Sequence, residues 1–184
     1  PPTQDTNPPM NATVSRRQFF ATVGAAAGTT VLAPTGWASK VPRPARKRIA
    51  LIATEVRLHS HAQHFIDRLL LGYVWEGGWR KPEVDLVSLY VDQFPEKDLA
   101  RGTAARHGVP IFSSIAEALT LGTGRLAVDG VVIIGEHGQY PKTDLGQTLY
   151  PRYRFFKEVV RVFEASGRSV PVFNDKHLST NWRE

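Results

Sequence analysis

The stretch Val128-Asp129-Gly130-Val131-Val132-Ile133-Ile134 decides the fold, because it is the most strand-like segment of the chain. A continuous apolar run of this kind is typical of a strand that is buried on both faces of a parallel sheet. Ile49-Ala50-Leu51-Ile52-Ala53 has the same character and predicts a second buried strand. Three further segments, residues 84–91, 109–112 and 170–173, complete a set of five predicted strands.

Segments with helical signals lie between these strands. Pro95 opens a predicted helix at its first turn and Gly108 closes it. Ser114 and Glu117 form a capping box for a short helix that runs to Leu119. The other two helices are indicated by apolar side chains at helical spacing: Ala62, Phe65, Ile66, Leu69, Leu70 and Tyr73 in one, and Phe156, Val159, Val160 and Phe163, between Pro151 and Gly167, in the other.

Strands and helices therefore alternate along the chain. This order predicts an α/β fold with a doubly wound, mostly parallel sheet of about five strands and helices on both faces. Ligands of such sheets bind outside the carboxyl ends of the strands, so residues just past each strand are the first candidates for a site.

The N-terminal region has the pattern of an export signal. Arg16 and Arg17 are followed closely by two Phe residues and then by the mild apolar run 21–33. At 13 residues this run is too short to span a bilayer, which requires about 20. The pattern indicates a twin-arginine signal that is cleaved after Ala38. We therefore expect export to the periplasm or beyond, with the twin-arginine translocase as a partner during export.

The domain organisation follows from this signal. Residues 1–38 are predicted to be a disordered or helical N-terminal tail and signal, and residues 39–47 a short linker. Residues 48–184 are predicted to form one α/β domain, either as a fragment of a longer protein or as a domain that acts alone. Because no second apolar stretch reaches membrane length, we expect no membrane association after signal cleavage.

Composition limits the possible partners and chemistry. The chain carries a net charge of +6, but no stripe of Lys and Arg with interleaved aromatic residues follows the first predicted strand. Nucleic-acid binding is therefore not expected, and a small-molecule ligand is favoured. The chain contains no Cys, which excludes thiol nucleophiles, iron–sulfur clusters and Cys-based zinc sites. Composition does not indicate the oligomeric state.

Residues 84–134 carry a resemblance to a known family. A strand ends in Asp92, a helix and His107-Gly108-Val109-Pro110 follow, and a short helix precedes Val128–Ile134. This order resembles the cofactor domain of the glucose–fructose oxidoreductase/inositol dehydrogenase (Gfo/Idh/MocA) family. Lys176 stands where that family has a Glu-Lys-Pro motif. The chain also looks like bacterial proteins with a twin-arginine signal that carry this domain and have no assigned activity.

The resemblance implies a Rossmann-like fold and an oxidoreductase that binds NAD or NADP. It implies that Lys176 touches the substrate hydroxyl and the nicotinamide, and that Asp92 binds a ribose hydroxyl. The other implied cofactor contacts follow the first and fourth strands of the resemblance: Thr54, Glu136 and His137. A separate interpretation, from the residues alone, makes His137 or His177 a catalytic general acid or base without a metal.

The loop after the first strand departs from the family pattern. The family has G-x-G-x-x-G here, whereas this chain has no glycine between Ala53 and His61. Glycine at this position lets a pyrophosphate approach the helix N-terminus, and Glu55 would add a repulsive charge. Asp92 also lies 38 residues after Thr54, whereas about 20 residues usually separate the fingerprint from the ribose-binding acid.

Histidines at the predicted edge of the sheet indicate an alternative, a divalent metal. Imidazole together with neighbouring carboxylates suits Zn, Fe or Mn. The alternative ligands are His59, His61, His137 and His177, with His64, Glu136 and Asp175 nearby.

Three functions thus remain open from the sequence. The first is an exported NAD(P)-dependent oxidoreductase. The second is a metal-dependent hydrolase or metal-binding protein that uses the histidines, and the third is a non-catalytic periplasmic binding module. The polar loop between Gly138 and Tyr150 follows the fourth strand and is placed to cover a ligand in any of them.

Overall fold

The computed structural model of the chain describes residues 45–183. The predicted tail and signal, and all but the last residues of the predicted linker, lie outside this range. The elements in chain order are β1 (Lys47–Ala53), α1 (His61–Leu70), β2 (Tyr73–Trp75), β3 (Gly78–Arg80), β4 (Val84–Val91), α2 (Ala100–His107), β5 (Ile111–Phe112), α3 (Ile115–Thr120), β6 (Gly130–Ile134), α4 (Arg152–Ser166) and β7 (Val172–Asn174).

Five strands form one parallel sheet in the order β5-β4-β1-β6-β7. This is the order of a doubly wound Rossmann sheet, in which the chain moves outward in one direction and then returns to the centre to build the other side. The direction changes beside β1, which has β4 on one side and β6 on the other. The predicted fold class is confirmed, and the ligand crevice of such a sheet lies outside the carboxyl ends of β1 and β6.

The core lies on both faces of the sheet. Leu51 and Ala53 of β1 pack with α1 and α2 on one face, and Ala50 and Ile52 pack with α3 and α4 on the other. All four side chains are fully buried. Because successive residues of a strand point to opposite faces, burial on both sides requires the unbroken apolar run seen in the sequence.

Capping residues set most helix ends where the sequence predicts them. The Ser114 hydroxyl accepts a hydrogen bond from the Glu117 backbone N–H at the start of α3. Gly108 and Gly167 follow α2 and α4 in the left-handed conformation, with φ of 67° and 61°. Glycine adopts this conformation without steric cost, which explains why both helices end there.

Two helix boundaries differ from the sequence prediction, and strands β5, β6 and β7 each begin two residues later than predicted. Pro95 does not begin a helix: it begins a turn, and α2 starts only at Ala100, where the Asp98 carboxylate accepts hydrogen bonds from the first free backbone N–H groups. Tyr73 does not continue α1, because Gly72 follows Leu71 with φ of 102° and the chain turns into β2. The start of α2 is therefore set by the Asp98 cap and not by Pro95. The end of α1 is set by Gly72, although the apolar spacing continues to Tyr73.

The antiparallel hairpin of β2 and β3 was not predicted. It is inserted between α1 and β4, and it accounts for the unusually long distance in sequence between Thr54 and Asp92. Its side chains Val74, Trp75 and Trp79 are 67%, 59% and 65% exposed. The Trp79 indole N–H donates to the Leu71 carbonyl and so fixes the hairpin against the end of α1.

None of the helices among residues 45–183 has both the length and the apolar character needed to cross a membrane.

Candidate functional site

Backbone hydrogen bonds fix the strand ends at the carboxyl edge of the sheet. The Thr54 N–H donates to the Ile134 carbonyl (3.2 Å), and the Asp175 N–H donates to the Ile133 carbonyl (3.0 Å). The Thr54 hydroxyl in turn accepts a hydrogen bond from the Glu136 N–H (3.2 Å). Residues that follow β1, β6 and β7 are thereby held side by side, as the parallel topology predicts.

His61, Glu136 and Asp175 converge at this edge. His61 Nδ1 lies 2.8 Å from Asp175 Oδ2 and 3.3 Å from Glu136 Oε2. One ligand atom from each residue lies within 4.8 Å of the other two, and all three residues are half-buried. Because an ionised carboxylate only accepts hydrogen bonds, the His61 Nδ1–H donates a hydrogen bond to Asp175 in this arrangement. In the other tautomer, with the proton on Nε2, one nitrogen and two carboxylate oxygens would face a common point.

Lys176 is the cation of this cluster. Its Nζ lies 3.3 Å from His61 Nδ1 and 3.5 Å from Asp175 Oδ2. The side chain is 37% exposed, so the ammonium remains partly solvated. Lys176 therefore neutralises part of the charge of Asp175, and a bound cation would compete with it for the same carboxylate.

His137 extends the cluster toward Arg57. The Arg57 guanidinium donates to His137 Nδ1 (2.8 Å), and His137 Nε2 lies 3.2 Å from Glu136 Oε1. Since arginine only donates, Nδ1 is the acceptor and the proton resides on Nε2, which donates to Glu136. Arg57 also pairs with Glu55 at 3.5 Å. His137 thus links Arg57 to Glu136 and orients the Glu136 carboxylate.

The N-terminus of α1 is occupied by protein groups. Ser60 is the N-cap and its hydroxyl accepts from the Gln63 N–H (3.2 Å). The His61 N–H, which is the position that a pyrophosphate contacts in a dinucleotide fold, donates to Glu136 Oε2 (3.2 Å). A carboxylate therefore takes the place of the phosphate, and the residues present do not form the dinucleotide cradle of the family.

Asp92 is enclosed by three donors. The Tyr90 hydroxyl donates to Oδ1 (2.6 Å), the Tyr140 hydroxyl donates to Oδ2 (2.8 Å), and Arg154 donates to Oδ1 (3.0 Å). Burial alone would raise the pKa of Asp92, but hydrogen bonds from Tyr90, Arg154 and Tyr140 outweigh it and lower the pKa below the usual value of 3.8. Burial and the Asp92 carboxylate raise the pKa of the Tyr140 hydroxyl.

Two contacts hold the loop after β6 over the carboxyl edge. One is the hydrogen bond from Tyr140 to the Asp92 carboxylate, and the other pairs the Gln93 side-chain amide with the Gln139 backbone. The Gln93 amide donates to the Gln139 carbonyl (3.0 Å), and its oxygen accepts from the Gln139 N–H (2.9 Å). Gly138, at φ of 118°, lies so close that an added Cβ would be 2.7 Å from the Tyr140 ring and 3.0 Å from Gln93 Oε1. A larger residue at Gly138 would push the loop away from β4.

The sequence-predicted residues fall into two groups. His61, Glu136 and Lys176 meet at the cluster, and His137 contacts it through Glu136. The others take different positions. Thr54 is fully buried beneath Glu136, Asp92 lies under Tyr140, His59 is exposed with φ of 63°, and His177 is exposed with its carbonyl bound by Arg152.

Three residues of the edge were not predicted as site members. Arg57 holds His137, and Arg154 and Tyr90 hold Asp92. Asp175, which the sequence places beside the alternative metal ligands because it follows a strand directly, supplies a carboxylate to the cluster. The two arginines lie in a loop and on a helix, and their partners are 80 and 62 residues away in the chain.

Comparison with known proteins adds little to this picture. No protein-family model matches the sequence, and no curated protein matches it. Among solved structures, the chain is similar to biliverdin reductase from Synechocystis sp. PCC 6803, crystallised in complex with biliverdin and NADP+. The identity is 18%, the TM-score is 0.32, and the match covers 68% of this chain but 37% of the reductase. The Rossmann-like assignment rests on the strand order of the sheet.

We predict that Asp92→Asn destabilises the domain by about 1–2 kcal/mol at pH 7, because charge-assisted hydrogen bonds from Arg154 and the tyrosines are weakened. Since the pKa of Asp92 is lower in the folded state, its contribution is present above pH 3.8 and is lost as the pH falls through the lower folded value. Urea unfolding from pH 7 to pH 3 should show the difference from wild type shrinking with acid. Asp144→Asn, at an exposed position of the loop after β6, should change little.

Proposed function

We propose that this domain is a metal-dependent enzyme of the hydrolase type, with its metal held by His61, Glu136 and Asp175. The observation that carries the proposal is the convergence of one imidazole nitrogen and two carboxylate oxygens within 4.8 Å at the carboxyl edge of the sheet. This donor set suits Zn, Mn or Fe, and three protein ligands leave a position open for water or substrate, as in catalytic metal sites.

The surroundings of the three ligands support this proposal. Glu136 Oε2 is held by the His61 N–H and its Oε1 by His137, so both carboxylate oxygens have defined positions. Such outer contacts orient metal ligands and are costly to remove. A metal bound here would lower the pKa of a coordinated water and supply a nucleophile at neutral pH. His137, hydrogen-bonded to the same carboxylate, is placed to exchange a proton at that position.

Lys176 has a distinct part in this proposal. Its ammonium lies beside the Asp175 carboxylate and the His61 ring, so a metal ion must displace it by a short side-chain movement. Its partial exposure gives it room to turn outward. From there a positive charge at the rim of the site would stabilise negative charge that develops on a substrate during attack.

The metal centre predicts that wild-type protein binds Zn²⁺ or Mn²⁺ with one-to-one stoichiometry in isothermal titration calorimetry. His61→Ala and Asp175→Asn should each weaken that binding by more than about tenfold, since each removes a ligand. Lys176→Met should strengthen it, because the competing charge is gone. His107→Ala, on α2 at the opposite edge, is the matched control. Absence of binding in the wild type, or equal affinity in His61→Ala, would contradict the proposal.

An NAD(P)-dependent oxidoreductase is the second candidate, favoured by the strand order of the sheet and by the motif resemblance to the Gfo/Idh/MocA family. The carboxylate of Glu136 at the N-terminus of α1 opposes it, because two anions would share one position. If a dinucleotide does bind, Glu136→Gln should tighten NADPH affinity by removing that charge, as measured by fluorescence titration. Equal or weaker affinity in the variant would count against a phosphate at this helix.

We also propose that the chain is exported through the twin-arginine pathway, on the basis of Arg16, Arg17 and the apolar run behind them. Replacing both arginines with lysine should leave the protein in the cytoplasm, because the pathway reads the pair itself and not only its charge. Cell fractionation with immunodetection measures this. The control is the same change at Arg125 and Arg161, exposed positions of the folded domain; unchanged export of the first variant would refute the proposal.

A further inference from the structure

A second feature of the carboxyl edge is a cleft of about 420 Å³ between the first turn of α4 and the segment 177–181. It adjoins the proposed metal centre, because Asp175 of the centre and His177 of the cleft are two residues apart in the chain after β7. The cleft is large enough for a small polar molecule rather than a macromolecule.

The lining of the cleft is basic. Arg152, Arg154 and His177 contribute nitrogen-bearing side chains, and within residues 45–183 no Asp or Glu lines it. Arg154 is already paired with Asp92, so its charge is partly neutralised. Arg152 is therefore the residue that sets the charge of the cleft.

Arg152 is buried to an unusual degree for an arginine, with 6% of its surface exposed. Its Nη1 donates to the His177 carbonyl (2.9 Å), and the guanidinium lies 5.2 Å from the centre of the Tyr150 ring. In the described part of the chain no carboxylate forms an ion pair with it. Burial lowers the pKa of Arg152, and the nearby charges of Tyr150 and Asp175 offset only part of that effect.

The backbone beside Arg152 makes room for this side chain. A Cβ added at Gly135 would lie 2.4 Å from Arg152 Cγ, so only glycine after β6 permits the arginine to pass. A glycine and a buried position thus accommodate an arginine whose guanidinium contacts one carbonyl and one ring, with the Asp175 carboxylate as a nearby charge that forms no ion pair with it. Hydrophobic residues of similar volume would fill the space at lower cost.

The start of α4 adds a second attraction for anions. The helix begins after Pro151, which has no side-chain group to cap it, and Tyr153 and Arg154 of its first turn both line the cleft. α4 has 15 residues, and the N-terminus of such a helix carries a partial positive charge. The helix end and the buried guanidinium of Arg152 face the same space.

We infer that this cleft binds the anionic group of the substrate, a carboxylate or a phosphate, and that Arg152 recognises it. The ligand then extends from the guanidinium toward the metal centre, which lies beyond Asp175. That the anion belongs to a substrate rests on the proposed function, whereas anion binding by the cleft does not depend on a metal.

The test is a pair of titrations of ¹⁵N-labelled protein followed by amide chemical shifts, one with inorganic phosphate and one with succinate. EDTA and constant ionic strength are used, so failure of metal binding does not affect the result. We expect saturable changes in amide chemical shift confined to residues 150–154 and 177–181. The anion that binds more tightly should saturate them at the lower concentration. Shifts that do not saturate, or that fall instead on other arginines and lysines, would overturn the inference.

Two variants make the test independent of folding defects. Arg152→Gln should weaken the better anion by about tenfold or more, because a charge-assisted contact is lost. His177→Glu should weaken it to a similar extent by adding a negative charge, and it changes an exposed side chain that the fold does not need. The matched control is His107→Glu, the same substitution at the opposite edge, which should leave the affinity unchanged; equal losses in both glutamate variants would refute a specific cleft.

Discussion

The carboxyl edge depends on the hydrogen bonds through which Thr54 joins β1 to the chain that follows β6. The backbone N–H of Thr54 binds the Ile134 carbonyl, and its hydroxyl binds the Glu136 N–H, although the side chain itself never reaches solvent. The direction that the chain takes after β6 is set there. The Glu136 carboxylate therefore lies at the first turn of α1, where both the backbone N–H and the ring of His61 contact it. Thr54, which is buried and out of reach of any bound molecule, thus determines where the Glu136 and His61 side chains lie.

Charge balance explains how this edge departs from a nucleotide site. A dinucleotide fold leaves the N-terminus of its first helix open, so that an incoming phosphate satisfies it. Here Glu136 supplies the negative charge within the chain. His61 contacts that carboxylate directly and Arg57 acts on it through His137, while Lys176 pairs with the neighbouring Asp175. The sheet has the strand order of a nucleotide-binding fold, but its crevice holds carboxylates beside β1 and the buried Arg152 at the start of α4.

The sequence predicted the sheet well because burial on both faces leaves an unmistakable apolar run, and Gly108 and Ser114 mark helix ends by backbone chemistry alone. It also brought His61, Glu136 and Lys176 to one edge, since that follows from parallel topology. It did not predict the hairpin of β2 and β3, whose strands have three residues each and expose their apolar side chains. Nor did it predict the enclosure of Asp92, because Arg154 comes from a helix 62 residues away. Contacts between distant side chains have no local signal.

The same exposed hairpin has a practical consequence. The indoles of Trp75, Trp79 and Trp182 lie at the surface, with exposures of 59%, 65% and 89%, while the aromatic residue at the centre of the core is Phe155. Indole emission of residues 45–183 therefore reports water-facing rings in the native domain as well as in the unfolded chain. Circular dichroism of the peptide backbone, rather than tryptophan fluorescence, is the signal that follows melting of this sheet.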